Sequence, residues 1–366
     1  MSATMPPCVR RAAIPVDGDA AGYLTVDRDG PTVLLLHGTY WSRVWLPVLG
    51  GLAEAGLRPI AVDLPGLGRS GGELTTDTAT VPALAAWVRR FVSAMGLTGP
   101  LALGGHDIGG AVAQHLLVHD GLDVSGLALV NSVLYDSWPA PHVARFGDPA
   151  VAATAAELLD ARRQAVAAAL TEAATDELVT AYVDPWTDPR VRRSWRALAG
   201  AADHRYTLDL VPLLRRCRTP KLLVWGVDDR FENIGYAEKF AAEMPCTELV
   251  RIPGAGHIPT ESARAGSPAS WATSSRRSGH RYRMYSATTR YRPGFASAFI
   301  RAVSTEVVIA DARPAAVQAS ALSRCATSTS WNRVSDTVIG HAVSLGWAGG
   351  TTRRRGHRSR SWRASA

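Results

Sequence analysis

The stretch "LALGGHDIGGAVAQHLL", residues 101–117, governs how the rest of the chain is read. An apolar run ends in Gly104 and Gly105, His106 and Asp107 follow, and apolar residues at helical spacing begin at once. Glycines on both sides of the crest, in Gly105-His106-Asp107-Ile108-Gly109, let backbones approach closely. The pattern predicts a strand, a sharp turn and a helix, with Asp107 at the crest. Such a turn exposes a nucleophile, and its hydroxyl version reads G-x-S-x-G. Here a carboxylate stands where the hydroxyl would be.

Working outward, five more apolar runs read as strands: "TVLLLHG" (Thr32 to Gly38), the start of "RPIAVDLPGLGRSG", which runs on into a Gly/Pro loop, "LALVNS" (Leu127 to Ser132), "KLLVWGVDD" (Lys221 to Asp229) and "TELVRIPGAGH" (Thr247 to His257). Helical patterns such as "VPALAAWVRRFVSAM" lie between most of them. Continuous apolar strands alternating with helices imply a mostly parallel α/β sheet covered on both faces. Active sites in such sheets gather at the carboxyl ends of the strands. From about Tyr135 to Leu210 no strand appears, and "DPAVAATAAELLDARRQAVAAAL" has helical spacing. That segment reads as a helical lid inserted between two strands. The expected organisation is a core in two parts, 1–134 and 211–261, a lid at 135–210, and an Arg/Ser/Thr-rich tail at 262–366. No internal repeat is visible.

The formal net charge of +8 is uneven. Residues 262–366 hold 17 Arg, no Lys and 3 acids; residues 1–261 hold 23 basic and 29 acidic residues. The globular-looking part is therefore mildly acidic, and the basic character belongs to the tail. No nucleic-acid-binding module accompanies that charge, so no nucleic-acid partner is expected. Four cysteines without a C-x-x-C pair or a neighbouring His cluster argue against a metal site and a disulfide framework. The first residues lack the apolar core of a signal peptide. No apolar run approaches the roughly 20 residues of a membrane span. A cytoplasmic protein acting on a small molecule is expected, with no cofactor and no metal.

Four polar features fall at expected strand ends: His37-Gly38-Thr39, Asp107, Asp228-Asp229, and His257 in "PGAGHIP". The order nucleophile, acid, histidine, with W-G-x-x-D and G-x-G-H, resembles the α/β-hydrolase superfamily over residues about 10–261. Within it, the chain looks like the branch with an aspartate nucleophile, which holds epoxide hydrolases and haloalkane and haloacetate dehalogenases. The resemblance implies an α/β-hydrolase fold and assigns roles. Asp107 attacks an sp³ carbon and forms an alkyl-enzyme ester. His257 activates the water that hydrolyses it, and Asp229 orients His257. The backbone N–H groups of Thr39 and Ile108 form the oxyanion hole. Asp228 and, after the Leu127–Ser132 strand, Asp136 are rival acids; His106 reads as packing.

The departures bear on substrate. Haloalkane dehalogenases usually carry Trp after the nucleophile and Asn after the first His-Gly; here these positions are Ile108 and Thr39. Epoxide hydrolases usually show H-G-x-P, and Tyr40 stands in place of the proline. They also use lid tyrosines to protonate the opening epoxide oxygen. Tyr135, Tyr182 and Tyr206 are the candidates. Epoxide-hydrolase-like chemistry is the leading expectation. Haloalkane or haloacid dehalogenation, ester or lactone hydrolysis, and binding through the basic tail without turnover are the alternatives.

After the His257 loop this fold needs another amphipathic helix, yet "ESARAGSPASWATSS" has no apolar period. Written in one set of synonymous codons and read one frame over from Glu261, it becomes "ERPRGFARELGDFL", with an apolar residue at i, i+4, i+7 and i+8. The expectation is that 262–366 is a frameshift product, without site residues and disordered.

Overall fold

The computed structural model describes residues 5–265, apart from positions 120, 149, 150 and 152, together with 283–284, 299 and 308–309. Eight strands form one sheet: β1 (Val9–Val16), β2 (Asp19–Val26), β3 (Thr32–Leu36), β4 (Arg58–Val62), β5 (Leu101–Asp107), β6 (Val124–Ser132), β7 (Lys221–Gly226) and β8 (Thr247–Ile252). Their order is β1-β2-β4-β3-β5-β6-β7-β8. From β4 to β8 every pairing is parallel, while β1 and β2 pair antiparallel and β2 runs antiparallel to β4. This is the α/β-hydrolase fold that the resemblance implies.

Every residue of β5 and of β7 is buried, as are the last seven of β6. A strand buried at each position must be covered on both faces, which is why these segments read as unbroken apolar runs. The first two strands carry a different pattern. Arg11, Ala13 and Pro15 are exposed and alternate with the half-buried Ala12 and Ile14 along β1, which lies at the sheet edge. The Asp17-Gly18 pair joins β1 to β2 with positive φ at both residues, 55° and 90°. That is the two-residue turn that suits a right-twisted hairpin. The six expected strands are all present, and this hairpin adds two.

The helices are α1 (Leu46–Glu54), α2 (Val81–Ala94), α3 (Ile108–His119), α4 (Pro141–Ala144), α5 (Ala155–Leu170), α6 (Asp176–Val183), α7 (Pro189–Gly200), α8 (Arg205–Leu208), α9 (Val211–Leu214), α10 (Ile234–Glu243) and α11 (Pro259–Ala265). α3 packs on β5 and β6 and against α2, and α1 packs against β2, β4 and α11. Between β6 and β7 the regular elements among the described residues are helices, from α4 to α9, where the helical insertion was expected. Its long helix α5 starts at a capping box. The Thr154 side chain accepts from Glu157 N at 3.2 Å, and Glu157 accepts from Thr154 N at 2.7 Å. No helix among the described residues is long and apolar enough to cross a membrane.

Contacts divide the chain into Met1–Ser328 and Thr329–Ala366. The second unit, and most of the expected tail at 262–366, lie outside the described residues. Within that stretch Phe299 is buried, with its ring 6.2 Å from that of Trp45. Cys246 is disulfide-bonded, and Cys8 and Cys217 are free.

Candidate active site

The turn after β5 has the geometry that its sequence predicts. Asp107 is the last strand residue, Ile108 the first helical one, and Asp107 takes φ of 55°. A non-glycine residue in this region costs energy and persists only where its surroundings hold it. The flanking glycines are required by space. A Cβ on Gly109 would meet Leu36 O at 2.4 Å, and one on Gly105 would meet Gly110 Cα at 2.5 Å. Strand β3 and helix α3 therefore close around the crest and fix the carboxylate.

Thr39, just past the end of β3, holds that carboxylate twice. Its N–H donates to Asp107 Oδ2 at 2.9 Å and its hydroxyl to the same oxygen at 2.7 Å. The Ile108 amide borders the same point: a Cβ on Gly38 would lie 2.6 Å from both Asp107 Oδ2 and Ile108 N. One carboxylate oxygen is thus tethered, leaving Oδ1 outside these bonds. The second donor from Thr39, its hydroxyl, was not anticipated from the H-G-T sequence.

His257 lies across from Asp107, with Nε2 4.0 Å from Oδ2. Its Nδ1–H donates to Asp229 Oδ2 at 2.8 Å. Asp229 is fixed in turn by Phe231 N at 2.7 Å on Oδ1 and by Asn131 Nδ2 at 2.6 Å on Oδ2. Asn131 also accepts from Gly226 N at 2.9 Å, so it joins the ends of β6 and β7 beneath the acid. Both sequence rivals of Asp229 are solvent-exposed, Asp228 and Asp136. His106 donates from Nε2 to the carbonyl of His257 at 2.8 Å, and its ring lies 4.8 Å from the His257 ring. It packs, as expected, and also braces the His257 backbone.

His37 is a structural residue. Its Nδ1–H donates to Gly38 O at 2.8 Å and its Nε2 accepts from Leu64 N at 2.9 Å. This neutral ring is matched by a lowered pKa, set by burial.

Burial alone would raise the Asp107 carboxyl, but His257, His106 and the Thr39 amide reverse that and hold it below the ordinary carboxylate range. Asp229 follows the same pattern, with burial overcome by His257, Phe231 N and Asn131. Burial opposes the charge of His257, and the Asp229 and Asp107 carboxylates overcome it, leaving the imidazole well above its ordinary value.

A cavity of about 310 Å³ opens over Asp107 and His257. The core supplies Thr39, Tyr40, Phe231 and Glu232 to its wall; the insertion supplies Trp138, Arg162, Trp186 and Trp195 among others. None of the three lid tyrosines lines it. The Tyr182 hydroxyl donates to Glu261 at 3.0 Å and the Tyr135 hydroxyl to Glu243 at 3.1 Å, while Tyr206 is half-buried elsewhere. Each phenol of the first two is taken by a carboxylate outside the cavity, so neither is aimed at Asp107. The phenol in the cavity wall is Tyr40, whose ring lies 5.8 Å from His257.

The cavity also holds two charged side chains that spacing did not reveal. Glu232 is 3% exposed, and its Oε2 is buried without a hydrogen-bond partner. Burial, with the Asp107 and Asp229 charges added, pushes this carboxyl well above its ordinary pKa, against the opposing effects of Ser137 and His257. The protonated form of this carboxyl is thereby favoured, in the same cavity as Asp107 and His257. Arg162 reaches in from α5, and its Nη2 donates to Thr39 O at 2.6 Å. Among the described residues no group of three or more His, Cys, Asp or Glu is placed to hold a metal.

A family model described as "Alpha/beta hydrolase family" matches residues 33–266. Among curated proteins, the chain is 28% identical over 246 residues to the polyketide synthase ThaQ of Burkholderia thailandensis, covering 62% of this chain and 11% of that one. It is 38% identical over 136 residues to the putative carbamate hydrolase RutD of Variovorax paradoxus, covering 36% of this chain and 47% of that one. The chain thus spans less than half the length of either relative. Among solved structures, the haloalkane dehalogenase DbeA of Bradyrhizobium elkani superposes with a TM-score of 0.61 at 23% identity, covering 73% of this chain and 98% of that one. The Cif epoxide hydrolase of Acinetobacter nosocomialis superposes with a TM-score of 0.61 at 16% identity, over 74% and 89%. At these identities the likeness is one of fold.

Proposed function

Since the chain belongs to the alpha/beta hydrolase family, we propose that it is a hydrolase working through a covalent ester on Asp107, with an epoxide-type substrate. The observation that carries this reading is the Asp107 carboxylate itself, set on the strained turn with Oδ2 tethered by Thr39 and His257 Nε2 4.0 Å away. Oδ1 attacks an epoxide carbon, the C–O bond breaks, and the opening oxygen takes a proton from the Glu232 carboxyl. Glu232 replaces the lid tyrosines as the acid, because it lines the cavity and they do not. General acids of this kind contribute roughly 10²–10⁴-fold.

Once Asp107 is esterified, His257 releases its Nε2 proton to solvent. Water then gives a proton to that nitrogen and attacks Cγ of Asp107, and a proton from solvent recharges His257 when the Asp107 carboxylate returns. The tethered oxygen becomes the oxyanion, already facing the Thr39 donors. Collapse breaks the bond to the substrate, whose oxygen takes the proton back from His257. Asp107 emerges as a carboxylic acid and ionises; its proton restores Glu232. The sum is epoxide plus water giving a diol. Asp229 and Asn131 keep His257 in the Nδ1–H tautomer throughout.

Dehalogenation is the second reading. Trp138, Trp186 and Trp195 line the cavity and bring indole N–H groups, the donor type that a departing halide needs. One experiment tests both. His257→Gln, exposed to epoxides and haloalkanes, should gain the mass of an alkyl group on the Asp107 peptide. Asp107→Asn should gain none. An unmodified His257→Gln protein with normal steady-state hydrolysis would refute the covalent scheme. A mass gained without loss of halide identifies the epoxide arm.

A further inference from the structure

We propose that the Arg162 side of the cavity is an anion subsite, and that the substrate carries a carboxylate next to its reactive carbon. The second half of this proposal rests on Asp107 being the nucleophile.

Arg162 is 6% exposed. Its guanidinium lies 4.3 Å from the centre of the Tyr40 ring and 4.7 Å from that of Trp186. Its Nη2 has Thr39 O as acceptor, and its Nε is buried with no partner. Among the described residues no carboxylate stands within ion-pair reach of it. Burying a charge is costly unless it is paired. Two aromatic faces and one carbonyl offset only part of that cost. If tying the insertion to Thr39 were its whole task, a neutral amide side chain would donate the same bond and carry no charge to desolvate. The charge is explained if a ligand completes the pairing. A guanidinium offers a planar fork that matches a carboxylate.

Position makes the partner specific. Thr39 accepts from Arg162 through its carbonyl and donates to Asp107 through its amide. The cation and the nucleophile are therefore separated by no more than one residue's length plus two hydrogen bonds of 2.6 and 2.9 Å. A carboxylate seated on Arg162 directs the carbons attached to it toward Asp107, which lines the same cavity. Arg145 lines the same cavity and is exposed, a second cation on the anion's approach.

The probes are propanoate and propanamide, which differ little except in charge, titrated calorimetrically into the full-length chain. Wild type should bind propanoate about 10–100-fold more tightly, the range expected for a charge-assisted pair. Arg162→Met should bind the two alike, and Arg162→Lys should keep a reduced preference. Equal affinities in wild type overturn the proposal, as does a full preference surviving in Arg162→Met. If Arg162→Met does not fold, the wild-type ratio and its reduction in Arg162→Lys decide. A reactive pair, 2,3-epoxypropanoate and its amide, separates this idea from the covalent scheme. With propanoate preferred but no ester trapped in His257→Gln from either epoxide, the Asp107 reading fails and the subsite stands. With ester formed equally fast from acid and amide, and equal binding, the subsite fails and the Asp107 reading stands.

Discussion

In the proposed scheme Asp107 acts as a charged nucleophile although it is buried, and its neighbours favour the ionised form that this requires. The same neighbours make the base respond to the first chemical step. Asp229 and Asp107 together raise His257. Alkylation turns Asp107 into a neutral ester and removes one of the two anions, so the imidazole becomes easier to deprotonate when it must act as base. The pH at half-maximal ester hydrolysis in single turnovers is expected to lie below the pH at which His257 titrates in the free enzyme by NMR; coincident values would contradict this. Stability follows with signs fixed by the directions. The raised His257 pKa stabilises the fold below the ordinary histidine range, and that support is lost as pH rises through the raised value. The depressed Asp107 and Asp229 stabilise above the ordinary carboxylate range, and theirs is lost as pH falls through the depressed values. Thermal melting should therefore be flat between the ordinary carboxylate and histidine ranges, roughly pH 5 to 6, and decline on both sides, neutrality already lying on the descending side. Asn131 offers a cleaner residue test, since it touches Asp229 and Gly226 and not the substrate side. Asn131→Ala is expected to slow ester hydrolysis about 10–100-fold, the loss of a hydrogen bond to a buried charge, while alkylation stays fast, so that ester accumulates during turnover and shows in the intact mass.

At the scale of the element, the turn between β5 and α3 is where sequence reading succeeds most fully, because few residue patterns allow it. Gly105 and Gly109 flank a polar residue for steric reasons that any chain must obey, and the contacts bear this out at 2.5 and 2.4 Å. Gly109→Ala is expected to cost at least the roughly 1–3 kcal/mol of overpacking. At about 2–4 °C per kcal/mol for a domain of this size, melting falls by about 2 to 12 °C; an unchanged melting temperature would mean that β3 yields easily. The hairpin of β1 and β2 went unread for the opposite reason. An edge strand accepts Arg10, Arg11 and Pro15, since one side faces water, so no apolar run marks it. Only the Asp17-Gly18 turn signals it. The ends of β7 and β8 were also read too long, because Val227 to Asp229 and Pro253 to His257 continue the composition of the strands while their backbones turn into the loops that carry the acid and the base.

Across the whole molecule, the meeting of Asp107, Asp229 and His257 was legible because each follows a strand that the sequence marks, whereas the cavity wall was not. Arg162 looks like one charge among several on α5, Glu232 like a loop acid, and the tyrosines like free phenols. Which way each points depends on how the insertion lies on the core, and spacing carries no information about that. The same dependence gives a prediction. Trp195 is 7% exposed and packs against Trp186 at 5.1 Å and Phe146 at 5.2 Å, with all three rings in the cavity wall. Trp195→Ala removes a large ring from a wall enclosing only about 310 Å³. Part of the cost is stability, on the order of 3–5 kcal/mol for a buried tryptophan truncated to alanine. The rest falls on substrate fit. Small substrates lose contact and should show a KM raised roughly 10-fold, in line with the 1–3 kcal/mol that hydrophobic pocket contacts contribute. Larger substrates should gain entry. The rate of ester hydrolysis should hold, because the ring contacts of Trp195 are with Trp186 and Phe146 in the wall. Steady-state kinetics across a chain-length series, with single-turnover ester hydrolysis measured beside it, separates the two effects. A fall in ester hydrolysis as large as the rise in KM would mean that the insertion positions the catalytic groups as well as shaping the space above them.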